Sequence, residues 1–192
     1  MSRFFCKNSI VNCSIDVLLY MKKYVYKPYE QTYPEMFRRE KNRLDKLLPN
    51  NYVIEHIGST AVPGLGGKGI IDIYITVSQD QLSQVKQALE SVGYIHIPEV
   101  GEGERLYFRI DLPDKLEKIR RYHVHIAEHG NKDFLQTVAF RNYLRENKDA
   151  KVEYIAIKQQ AVKEAAGDKE IYMRIKKPFI RKVLNKTIEG RK

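Results

Sequence analysis

A strand that ends in Gly-Ser, a glycine-rich connection, and an aspartate on the next strand are together able to hold phosphate. The run from His56 to Tyr74 has this form. Gly58, Ser59 and Thr60 interrupt an apolar stretch, Gly64, Gly66, Gly67 and Gly69 follow, and Asp72 stands thirteen residues beyond Ser59. A turn without a Cβ at Gly58 brings backbone N–H groups, with the Ser59 and Thr60 hydroxyls, close to a polyphosphate. A carboxylate at Asp72 can then face a divalent cation on the same phosphates. Lys68, Arg105 and Arg109 are candidates to neutralise phosphate charge, the guanidinium groups in bidentate fashion. For Arg109 an ion pair within the sheet is an equal alternative. His123 and His125 fall on one strand face, a spacing found in metal sites and in hydrogen-bonded clefts. With no third ligand near in sequence, contact with substrate or phosphate is preferred. His56, beside the turn, supports the site or is a structural histidine.

Such groups need rigid elements behind them. The alternation of apolar and polar residues predicts strands over 53–57, 70–77, 94–97, 105–112 and 122–127, with a further short strand at 24–26. On the second of these, Ile71, Ile73, Ile75 and Val77 share one face, while Ile70, Asp72, Tyr74 and Thr76 share the other. Pro34 suits the first turn of a helix whose apolar face carries Met36, Phe37, Leu44, Leu47 and Leu48. A second helix is predicted over 81–92. Three more run over about 132–146, 149–165 and 169–188, the last two separated at Gly167 and Asp168. The predicted fold class is α+β: a mixed sheet of about five strands with helices on one face, then a helical C-terminal segment.

The chain has 192 residues and carries 43% hydrophobic and 30% charged residues, which suits one globular domain. Its longest apolar run, Val17 to Met21, is far short of a membrane span. Polar residues also interrupt what would be a secretory signal, so a cytoplasmic protein with no membrane partner is expected. Cys6 and Cys13 suggest two reduced thiols. Residues 1–20 read as an extension and 21–192 as a single domain, Met21 resembling a second beginning. Net charge is +10. Residues 151–192 hold twelve Lys or Arg against five Asp or Glu, a local +7, whereas residues 51–100 hold two against five. A basic segment beside a mildly acidic centre suits an anionic ligand, although lysine-rich helices are commonly just solvated faces.

The run from Ile54 to Ile73 resembles the signature of the GrpB family, a branch of the nucleotidyltransferase-like superfamily. Further matches follow in order at Tyr29–Phe37, Arg105–Arg109, His123–His125, Phe140–Arg145 and Lys177–Ile180, so the resemblance spans roughly Tyr24 to Leu184. It implies a nucleotidyltransferase-like fold and a nucleoside triphosphate substrate. It also implies Mg²⁺ or Mn²⁺ held by an Asp-x-Asp or Asp-x-Glu pair and a third acid. Carried over, Gly58 and Ser59 would receive the β- and γ-phosphates and Asp72 the metal, with Asp72 and Ser59 as catalytic residues and transfer to an unidentified acceptor. Tyr74 departs from the pattern. It stands where the second carboxylate belongs, and a phenol with a pKa near 10 is not an anionic Mg²⁺ ligand at neutral pH. Glu104 and Asp111 are candidate replacements, or His123 or His125 for a softer metal, although Asp111 shares a face with Arg105 and Arg109 and suits an ion pair. Two alternatives to transfer stand beside it. One is a nucleotide-binding module without turnover. The other, less favoured, is an RNA-binding protein using the basic C-terminal segment, where aromatic residues are sparse (Tyr154, Tyr172, Phe179).

Overall fold

The structure is a computed structural model that describes residues 25–100 and 105–189. The expected extension over 1–20, both cysteines and Glu104 lie outside the described residues.

Five strands, β1 (Val53–Ile57), β2 (Ile71–Val77), β3 (Ile95–His96), β4 (Leu106–Asp114) and β5 (Lys118–Glu128), form one sheet in the order β1-β2-β5-β4-β3. The sheet is mixed because β2 pairs in parallel with β5 while its other pairings are antiparallel. The β-branched residues of β2 explain its central place. Ile71, Ile73, Ile75 and Val77 are wholly buried together with Phe108, Val124 and Ile126. Helices α1 (Tyr33–Leu44) and α2 (Leu82–Ser91) cover this face, burying Leu44, Val85 and Leu89. The architecture is the α+β one predicted.

The C-terminal segment is three helices, α3 (Lys132–Glu146), α4 (Lys148–Ala165) and α5 (Lys169–Glu189). Asn131 caps α3, its side-chain oxygen accepting from the N–H groups of Asp133 and Phe134. Helix α3 lies on the opposite sheet face from α1 and α2, where Phe134 and Val138 pack on Ile57, Tyr74 and Ala127. Helices thus flank both faces. The short strand expected at 24–26 is not formed by Val25 and Tyr26. The chain there makes one isolated bridge, Lys27 to Gly67. No helix among the described residues is long and apolar enough to cross a membrane.

Candidate functional site

Sheet register sets the site. Across the face turned to α3 run two rows of neighbours, Ile57–Asp72–His123–Arg109 and Glu55–Tyr74–His125–Tyr107. The parallel pairing of β2 with β5 sets His123 beside Asp72, and its Nδ1 lies 3.1 Å from Asp72 Oδ1. The other oxygen, Oδ2, lies against the backbone at Gly58, where an added Cβ would overlap it; Gly58 has φ +73°. Burial pushes the Asp72 carboxyl upward, but the hydrogen bond and proximity of His123 outweigh this and hold it below the usual carboxylate range.

Gly58, Ser59, Lys68, Asp72 and His123 line a cavity of about 320 Å³ between the sheet and the C-terminal helices. Its far wall comes from the basic C-terminal segment, in which the sequence singles out no individual lysine. Lys158, Lys169 and Lys176 face the same space, with Tyr154, Tyr172 and Phe140. Lys158 is 4% exposed and donates to the carbonyl oxygen of Gly66. A Cβ at Gly67 would meet both the Ser59 hydroxyl and the Lys158 ammonium, so these two groups are near neighbours across one glycine. The Tyr172 ring has Lys176 Nζ at 4.3 Å and Lys68 Nζ at 5.4 Å from its centroid. Burial, with the other lysines nearby, pushes Lys158 down to about 7 and Lys176 to about 8. Neither forms an ion pair among the described residues. Asp72 is the one acid of the described lining.

Cations of the helices hold the end of β1 and the glycine-rich connection that follows it. Arg141 donates to His56 O at 2.6 Å and to Glu55 at 2.5 Å, Arg145 to Ala61 O at 2.9 Å, and Lys151 to Pro63 O at 3.0 Å. Beneath the loop the Thr60 hydroxyl donates to Ile70 O at 2.9 Å, so its oxygen accepts from His56 Nε2 at 3.0 Å and fixes the proton of the neutral ring there. His56 also stacks on Phe37, and burial lowers it to about 4. His56 and Thr60 are thus buried and bonded to each other, and neither lines the cavity that Ser59 lines.

The remaining sequence candidates gather elsewhere. Tyr74 is fully buried, and its hydroxyl donates to Asp133 Oδ2 at 3.1 Å, with Asn131 Oδ1 at 3.4 Å. Arg105 binds the same Asp133 oxygen at 2.8 Å. His125 stacks on Tyr74, and burial lowers it to about 4. Arg109 neighbours His123 on the sheet but does not line the cavity. Asp111 pairs with Arg121 through two bonds of 2.7 and 2.8 Å. Spacing alone could not separate these two groups, because both lie on one face and differ only in what packs above them.

Does this donor set fit a pair of metal ions? One oxygen of Asp72 is engaged by His123 and the other faces Gly58. The second carboxylate position is a phenol hydrogen-bonded to Asp133, and no group of three or more His, Cys, Asp or Glu among the described residues is placed to hold an ion. Hard cations need several oxygen ligands, so the residues present do not fit a two-metal centre.

Residues 24–186 match the family model described as GrpB protein. The chain belongs to the GrpB family. The protein YqkA of Bacillus subtilis is 36% identical over 134 residues, 69% of this chain but only 38% of its own length. The crystal structure of the conserved protein GrpB from Enterococcus faecalis superposes with TM-score 0.73 at 32% identity, covering 86% of this chain and 98% of that one. A distant likeness of fold, TM-score 0.47 at 12% identity, relates 81% of this chain to 49% of the Cid1 poly(U) polymerase solved with MgGTP bound. The Tyr29–Phe37, Arg105–Arg109, His123–His125, Phe140–Arg145 and Lys177–Ile180 segments all fall inside the region of the family match.

Proposed function

We propose that this GrpB-family chain binds a nucleoside triphosphate in the cavity above Gly58 and Asp72, as a binding module rather than a two-metal nucleotidyltransferase. The observation that carries this reading is the lysine wall. Lys158 and Lys176 project into a concave space with no carboxylate paired to either among the described residues, a costly arrangement that an incoming polyanion relieves. The Ser59 hydroxyl and neighbouring backbone orient the phosphates beside Lys68 and Lys158. Phe140, Leu144 and Met173 offer an apolar side for the base or another apolar group. Tyr74, sealed under α3, argues against the second metal that nucleotidyl transfer uses. Nucleoside triphosphates are cytoplasmic ligands, and the protein is proposed to act there.

A thermal-shift panel of the four nucleoside triphosphates, with and without Mg²⁺ or Mn²⁺, tests this. A ligand at 100 times its Kd is expected to stabilise the chain by about 2.7 kcal/mol, with no pyrophosphate released. A panel that leaves Tm unmoved overturns the binding reading. Pyrophosphate release that is lost in Asp72→Asn overturns the restriction to binding.

A further inference from the structure

We infer that the cavity takes its polyphosphate free of a divalent cation, with Lys68, Lys158 and Lys176 supplying the charge that a metal would otherwise supply. The inference rests on the nucleotide reading and says how that ligand's charge is met.

The three ammonium groups converge. Lys158 and the Ser59 hydroxyl both crowd the space beside Gly67, and Lys158 is anchored on Gly66 O, while Lys68 and Lys176 both lie over the Tyr172 ring. These anchors set the ammonium positions before any ligand arrives, so less ordering is required on binding. A Mg²⁺ entering here would need near-octahedral oxygen ligation. Among the described residues it would find one carboxylate, already hydrogen-bonded to His123, facing several ammonium groups that repel it. A triphosphate stripped of Mg²⁺ is the more negative species, and the surplus positive charge on this wall is what it requires. Asp72 then acts as a like charge facing the ligand and orients His123, in place of bridging to a metal.

Calorimetric titration of the full chain with ATP, and separately with inorganic tripolyphosphate, in EDTA and in excess Mg²⁺ decides the matter. The Kd in EDTA is expected to equal or undercut the value in Mg²⁺. Asp72→Asn, which keeps an oxygen to face His123, is expected to tighten binding in EDTA by about fivefold because a like charge is gone. Lys176→Gln is expected to weaken it about tenfold, and Lys158→Met, at the lysine anchored on Gly66 O, provides a second variant with the same expected direction. Binding that appears only with Mg²⁺ and is lost in Asp72→Asn overturns this inference while the nucleotide reading stands. Silence of the wild type in both buffers overturns both.

Discussion

Gly58 shows how much of the site one residue type fixes. Its φ of +73° lies where an L side chain is strained, and its missing Cβ is the space that Asp72 Oδ2 occupies. Gly64 has a similar φ of +79°, but the nearest atom to an added Cβ is Lys151 Nζ at 3.9 Å. Gly64→Ala is therefore expected to cost about 1 kcal/mol from backbone strain alone. Gly58→Ala should cost about 2 kcal/mol or more and also displace Asp72 from His123. Denaturant unfolding of the two variants checks this, and equal losses would mean that the carboxylate moves aside freely. Gly58, Ser59 and Asp72 were legible in the sequence because their spacing along a strand, a turn and a strand is covalent. Lys158 was not, since a lysine on a helix ordinarily reads as solvated. One signal was present: Tyr154, Lys158, Ala161 and Ala165 fall on a single buried helical stripe, so the lysine sits where an apolar residue belongs.

At the scale of elements, the strands whose two faces differ in polarity were read almost to their ends. Val53–Ile57 and the β2 core have the expected limits within one residue. Strand β5 begins four residues earlier than its alternation suggested. The cause is Arg120, which is 1% exposed and bonded through its two terminal nitrogens to Glu30, Asp114 and Gly69 O. A buried arginine breaks the apolar period although its position is interior. The parallel pairing of β2 with β5, which brings His123 to Asp72, depends on contacts between segments about fifty residues apart, and no local pattern encodes it. Helix α3 contributes more than cover. Arg141 ties it to β1 at Glu55 and His56 O and is itself only 6% exposed. Arg141→Met leaves the His56 carbonyl without this donor and is expected to destabilise the chain by about 2 kcal/mol. It should also weaken nucleotide binding by loosening the loop. Urea unfolding with an unchanged m-value and a lowered midpoint is the expected result. A midpoint unmoved by the substitution would show that the clamp contributes nothing net.

Over the whole molecule, the basic C-terminal segment and α3 turn several of their cations inward, onto loop carbonyls and into the cavity, and this gives stability an unusual pH dependence. Lys158 and Lys176 are held at about 7 and 8 when folded and return to about 10.4 when unfolded. Between those values the unfolded chain binds more protons, so stability rises with pH across that window and the full cost of burial is felt below pH 7. His56 and His125, both lowered to about 4, act with the same sign at lower pH: stability is lost as pH falls from about 6.5 towards 4. Opposing them, burial raises Tyr33 to about 12, and a hydrogen bond to Asp45 raises Tyr52 to about 12. The unfolded chain loses its tyrosine protons first, so stability falls once pH passes about 10. The ligand-free protein should thus reach its highest Tm between about pH 9 and 10, above the usual range of roughly 5 to 8. Lys158→Met should raise Tm at pH 7 and flatten the climb towards pH 9. A wild-type Tm that peaks near pH 7, or a variant whose slope matches the wild type, would show that Lys158 is no stability burden when the cavity is empty. Affinity for a triphosphate should move the opposite way, weakening from pH 7 to 9 as these ammonium groups lose the protons that the bound phosphates need.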